Sequence, residues 1–200
     1  MADYFRKMVH LAGHGVEAAL DCVERVAALG RGLDLPEGFR IRIRIGISTG
    51  TLLAGYIGSK RRLSYTFIGD DINLASRLEG VNKLYGSTVL VNEATAERCG
   101  EAIAFREVDR VRVKGRDQPV RILEPLGRRE SVTEPQRRQA EAFAQALALF
   151  RARRFEEAAE RFAALAERDP VARSFADRAG ELAADPPEAD WDGVRNLLSK

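Results

Sequence analysis

The chain has 200 residues, 45% of them hydrophobic and 31% charged, a composition that supports one ordinary domain plus a small appendage and excludes wholesale disorder. Lysine and arginine number 32 against 30 aspartates and glutamates, a net charge of +2, which excludes nucleic-acid binding through bulk electrostatics. No apolar run approaches the ~20 residues of a transmembrane helix, and the start Met1-Ala2-Asp3-Tyr4-Phe5-Arg6-Lys7 lacks a signal peptide's apolar core, so a cytoplasmic chain without a membrane segment is expected.

Between Gly15 and Leu29, Val16, Ala19, Leu20, Val23, Val26 and Ala27 recur at three- and four-residue spacing, which predicts a helix ended by Gly30-Arg31-Gly32. Pro36 and Gly38 mark a turn. Phe39, Ile41, Ile43, Ile45 and Ile47 then alternate with Arg40, Arg42 and Arg44, a period of two that predicts a strand with one buried and one wet face. Ser48-Thr49-Gly50-Thr51 reads as the turn and Leu52 to Ile57 as the returning strand of a β-hairpin. A basic loop, Gly58-Ser59-Lys60-Arg61-Arg62, leads to an extended segment from Leu63 to Ile68.

Gly69-Asp70-Asp71 reads as an acidic helix cap and first turn. Ile72, Ala75, Leu78 and Val81 give that helix its expected buried face, and Gly86 stops it. A short strand from Ser87 to Val91, a short helix from Glu93 to Cys99, and a second hairpin from Phe105 to Val113 and Val120 to Leu123 follow. Residues 128–135 are polar and aperiodic and read as a linker. Beyond them, Gln136 to Arg151, Phe155 to Glu167 and Val171 to Ala183 are helical in pattern, and the tail to Lys200 holds Trp191. Cys22 and Cys99 fall in predicted helices without CxxC spacing and are expected to be buried or half-buried thiols. His10 and His14 are four apart, a helical metal spacing, but with no third ligand in view they read as surface histidines.

Asn73 and Arg77 are one helical turn apart, off the expected Ile72/Ala75/Leu78 face. An amide that donates and accepts suits a ribose, and a permanently charged guanidinium suits a phosphate. Alone, an Asn-x-x-x-Arg pair is more often a solvated helix face. Its context is specific, however. Tyr65-Thr66-Phe67-Ile68-Gly69-Asp70-Asp71-Ile72-Asn73-Leu74-Ala75-Ser76-Arg77-Leu78-Glu79 resembles the most distinctive stretch of the class III nucleotidyl cyclases. Gly46-Ile47-Ser48-Thr49-Gly50, Gly55-Tyr56-Ile57-Gly58-Ser59, Val113-Lys114-Gly115 and Pro119-Val120 match neighbouring motifs of the same family in the same order.

The resemblance spans Phe39 to Gly127, the nucleotide-facing half of the family's catalytic domain, and implies an α/β (α+β) fold with a ferredoxin-like arrangement. It implies that Asn73 orients the ribose and that Arg77 stabilises charge at the α-phosphate. Thr66 falls at the purine-reading position and favours ATP over GTP. Lys114 matches a lysine near the triphosphate, within reach of the Lys60-Arg61-Arg62 loop. The implied reaction turns ATP into cyclic AMP and pyrophosphate with Mg2+ or Mn2+.

The two aspartates that hold those ions in the family lie upstream of anything matched here, and Met1-Ala2-Asp3-Tyr4-Phe5 is similar to the end of the hairpin carrying the second. Asp3, Asp70 and Asp71 are not expected to replace them, so no metal ligand is assigned. The reading is therefore a domain over 1–127 lacking its first strand and helix, a linker over 128–135 and a helical tail over 136–200. Phe143 to Pro170 in that tail resembles a single tetratricopeptide-like hairpin, which must dock elsewhere to bury its faces. Family members work as dimers whose sites lie between subunits, so a homodimer or pairing with an intact cyclase is expected, with the chain inactive alone. The alternative is a non-catalytic nucleotide-binding or dimerisation partner.

Overall fold

A five-stranded mixed sheet divides the chain into two layers of helices. The computed structural model describes residues 2–36, 39–59, 62–113, 115–116 and 118–197. In chain order the elements are α1 (Ala2–Gly32), β1 (Ile45–Ile47), β2 (Leu53–Ser59), β3 (Arg62–Ile68), α2 (Asp70–Tyr85), β4 (Val89–Asn92) and α3 (Glu93–Cys99). Then come β5 (Ile103–Val113), β6 (Val120–Arg128), α4 (Glu134–Arg151), α5 (Phe155–Ala163), α6 (Pro170–Ala184) and β7 (Arg195–Leu197). The sheet order is β1-β4-β6-β5-β7, with β1 parallel to β4, β7 parallel to β5, and the inner pairs antiparallel. This is the mixed α+β class expected.

Successive residues of a strand face opposite ways, and the two cores follow from that rule. Val89, Val91 and Leu123 point to one side, where Ala12, Val16 and Ala19 of α1 and Cys99 of α3 cover them. Leu90 and Ile122 point to the other, against Leu74, Leu78, Val81 and Tyr85 of α2. Helix α1 starts well before Gly15, because packing of Ala12, Val16 and Ala19 outweighs the roughly 1 kcal/mol that each of Gly13 and Gly15 costs a helix. Its far end projects from the sheet, and Cys22 is exposed there, contrary to expectation, while Cys99 is buried. Burial, with Glu17 adding, pushes the Cys99 thiol up to about 11.

The alternating run from Phe39 does not form the expected strand. Only Ile45–Ile47 enters the sheet, since its one neighbour, β4, is four residues long. Phe39 is left 61% exposed. The expected hairpin is also absent: β2 pairs with β3 from Leu53↔Ile68 to Ser59↔Arg62, as a separate two-stranded sheet. The reason lies in the intended turn. The Thr49 backbone donates to Asn92 Oδ1 and accepts from its Nδ2, both at 3.1 Å, and so is held on the start of α3 rather than free to reverse the chain.

The face of α2 is rotated from the expected one. Leu74, Leu78, Val81 and Tyr85 are buried, whereas Ile72 and Ala75 are half-buried. Residues 128–135 run as the end of β6, a 3-10 turn (Arg129–Ser131) and the start of α4, which a Thr133/Gln136 capping box closes. Helices α4 to α6 then pack on α2's side of the sheet. Phe143, Phe150, Phe162 and Phe175 are fully buried in one core with the α2 face, and Tyr85 stacks on Phe175 at 5.8 Å. Strand β7, absent from the sequence reading, is held on β5 by Arg112, which bonds Asn196 and Asp192 at 2.7 and 3.0 Å.

Ion pairs secure the helices to the sheet, and that of Arg106 with Asp169 is among the most buried of them. Arg106 of β5 grips the carboxylate of Asp169, the N-cap of α6, with both terminal nitrogens, and its Nε bonds Glu124 at 2.8 Å. Burial pushes the Asp169 carboxyl up, but Arg106, the Ala172 amide and Gln139 outweigh it and hold the group below the ordinary carboxylate range. The unfolded chain therefore binds this proton more readily. The stabilisation is complete above the ordinary carboxylate range near pH 4 and is lost as pH falls through the depressed folded value. Breaking a buried pair from one side costs about 3 kcal/mol. Asp169→Asn should accordingly lower the urea midpoint at pH 7 and flatten the acid limb of stability between pH 7 and 3; an unchanged acid limb would assign that limb to other carboxylates.

Candidate functional site

Helix α2 is the element on which the candidate side chains stand, and its position is set by contacts too close for any other residue type. A Cβ built on Gly46 of β1 would lie 2.1 Å from the Ala75 carbonyl and 2.5 Å from the Glu79 amide, so the helix backbone rests directly on the strand. Asn82 fixes the rotation, donating to the Ile45 and Leu78 carbonyls at 3.0 Å each and accepting from Ser87 Oγ at 2.8 Å.

The helix begins at Gly69, which has no side-chain cap. Asp71, read from the sequence as part of a cap, instead lies over Gly50, accepting from Ser48 Oγ at 3.3 Å and from Arg116 Nη2 at 2.9 Å. This ion pair spans the loop after β1, the first turn of α2 and the segment between β5 and β6. Arg77 Nη2 approaches the same segment, 3.9 Å from a Cβ placed on Gly115, whose φ is +80°. Arg77 and Gly115 are therefore brought together, with Arg77 half-buried and Asn73 exposed one turn earlier.

The other candidates stand apart. Thr66 is half-buried in β3, opposite Gly55, and no hydrogen bond joins it to Asn73 or Arg77 among the described residues. Arg62 begins β3. Lys114, Arg61 and Lys60 lie outside the described residues. The pairing of Asp71 with Arg116 escaped the sequence reading. Its signal was the small residues Ser48 and Gly50 beside an acidic helix start, which leave room for a carboxylate.

The described residues do not assemble a site that fits a divalent ion. Among the described residues no group of three or more His, Cys, Asp or Glu side chains converges as a metal site. Asp71 already faces a guanidinium, and Asp70 is exposed.

The two glycine contacts differ in what opposes them. Gly46→Ala meets main chain on both sides and should destabilise the protein by about 3 kcal/mol or more. Gly50→Ala meets only the Asp71 side chain, 1.6 Å from Oδ2, and should cost clearly less. Urea denaturation of both variants checks the order; equal losses would mean that α2 can slide off β1.

Comparisons with known proteins converge on one family. Adenylate cyclase 1 of Rhizobium meliloti (strain 1021) is 42% identical over 119 residues, covering 58% of this chain and 17% of that protein. The adenylate cyclase of Anabaena cylindrica is 41% identical over 88 residues, covering 42% and 18%. The chain thus spans under a fifth of the length of these curated relatives. The crystal structure of the adenylyl cyclase CyaB from P. aeruginosa superposes with a TM-score of 0.52 at 28% identity, over 61% of this chain and 62% of that one. The family model for the adenylate and guanylate cyclase catalytic domain matches residues 7–123, more than half of the sequence, and the chain belongs to that family.

Proposed function

We propose that this chain supplies the nucleotide-facing side of an adenylate cyclase site, converting ATP to cyclic AMP and pyrophosphate together with a second chain that holds the Mg2+ or Mn2+ ions. The observation that carries this is the placement of Asn73 and Arg77 on consecutive turns of α2, with Arg77 approaching Gly115. In this reading Asn73 hydrogen-bonds the ribose and holds its 3′-hydroxyl towards the α-phosphorus. Arg77 stabilises the negative charge that grows on the α-phosphate as the O3′–P bond forms and pyrophosphate leaves. Arg77 is half-buried and so partly shielded from water, which strengthens its action on such a charge. Thr66 reads adenine, and Lys114, Arg61 and Arg62 hold the triphosphate.

The pairing with a second chain is supported by the β2–β3 ribbon. Its Leu53, Tyr56, Leu63, Tyr65, Phe67 and Ile68 each keep more than half of their surface exposed, an apolar area that monomeric proteins seldom leave open. The second reading, a non-catalytic dimerisation partner, is favoured by the same ribbon and by the engagement of Asp71 with Arg116.

Mixing this chain with an intact adenylate cyclase whose own arginine at the position of Arg77 is alanine separates the two. Restored cyclic AMP synthesis, lost about 10²–10³-fold with Arg77→Ala in this chain, is expected for the loss of one transition-state donor. Formation of the mixed dimer without restored synthesis would overturn the catalytic reading and leave the partner role.

A further inference from the structure

At the end of α2 remote from Asn73, a groove of about 360 Å³ separates the helix from α6 and β7. Four cations line it, Lys83, Arg173, Arg178 and Arg195, together with Asp177 and Glu181. Lys83 is six residues beyond Arg77, about 9 Å along the helix axis, so the groove is distinct from the candidate nucleotide site.

Its chemistry turns on Arg195, the first residue of β7. The guanidinium lies 5.3 Å over the Tyr85 ring, and its Nη1 is buried without a hydrogen-bond partner, the single such side-chain atom among the described residues. Buried polar groups in folded proteins are almost always paired, and an unpaired charged donor is among the least favourable exceptions. The nearby carboxylate is already committed. Asp109 Oδ2 accepts from Tyr85 at 2.6 Å and from Arg178 Nη1 at 2.8 Å, and its Oδ1 accepts from the Arg110 amide at 2.8 Å. With Arg178 neutralised by Asp109, the remaining lining charges are Lys83, Arg173 and Arg195 against Asp177 and Glu181, a surplus of one positive charge.

We propose that this groove binds a small anion through one carboxylate or phosphate group, whose oxygens accept from the Arg195 guanidinium with Lys83 and Arg173 on its flanks. Such a ligand touches the last turn of α2, α6 and β7 at once. It would lock the C-terminal helices against the helix that carries Asn73 and Arg77, and it binds only the chain in which β7 is docked on β5. Stabilisation by mass action then follows, rising with ligand concentration.

The proposal does not depend on cyclase activity and is tested without turnover. The full chain is titrated with sodium phosphate and with sodium citrate, each against sodium chloride of equal ionic strength, by calorimetry and thermal unfolding. Saturable heat and a rising midpoint with phosphate, citrate or both are expected, the responding salt identifying the group. Arg195→Gln and Lys83→Ala should each weaken the response at least tenfold, and Arg77→Ala should leave it intact. Lys83 is exposed, so its variant serves even where Arg195→Gln fails to fold. A response no larger than that of chloride, one that survives Lys83→Ala, or one abolished by Arg77→Ala would each overturn the proposal.

Discussion

The seating of α2 on β1 governs the molecule. Where a helix normally packs on a sheet through two layers of side chains, here its main chain touches the strand at Gly46, and Asn82 bonds the carbonyl of the neighbouring Ile45. That approach fixes the helix in height and rotation. Every other relation follows from it: the buried face on Leu90 and Ile122, the reach of Asp71 to Arg116, and the aim of Arg77 at Gly115. A site that must hold side chains to fractions of an ångström benefits from a helix that side-chain repacking cannot shift.

The second organising feature is that the helical tail is not an appendage in the energetic sense. Leu74 and Leu78 share one core with Phe143, Phe150, Phe162 and Phe175, and burying each of these phenylalanines contributes about 1.5–3 kcal/mol. The sheet's polar groups are completed from the tail as well. Asp169 answers Arg106, Arg178 answers Asp109, and Arg151 answers Glu107. Charges on β5 that would be costly to bury alone are thus buried in pairs. This dependence explains why β5 tolerates Arg106, Glu107 and Asp109 within four residues of an inner strand.

Much of this was legible in the sequence, for reasons specific to each element. Gly86 and the acids of the first turn delimit α2, and Glu93 to Cys99 emerged with both of its ends in place. Spacing puts Asn73 and Arg77 on one side of a helix, but what singled them out as candidates was the surrounding stretch from Tyr65 to Glu79, which resembles the class III cyclases. The misreadings share a physical origin in partners far away in sequence. Alternation from Phe39 to Ile47 reports a strand's intrinsic pattern, but the ladder's length is set by β4, some forty residues on. The turn at Thr49 is decided by Asn92, and the faces of α2 by Phe175. Strand β7 carries no periodic signal in three residues and exists because Arg112 and the β5 edge receive it.

The order in which the chain is made gives the shared core a temporal meaning. Synthesis proceeds from the N-terminus, and domains generally fold as units during it. Here Leu74, Leu78 and Val81 emerge some sixty to a hundred residues before Phe143 and Phe175, which share their core. The α1 and α3 side of the sheet can close early, since its core draws on nothing beyond Leu123. The side that bears the candidate site cannot. Until the last helix leaves the ribosome, the helix holding Asn73 and Arg77 keeps an open apolar face. The nascent chain therefore passes through a half-built state in which that face is available to chaperones.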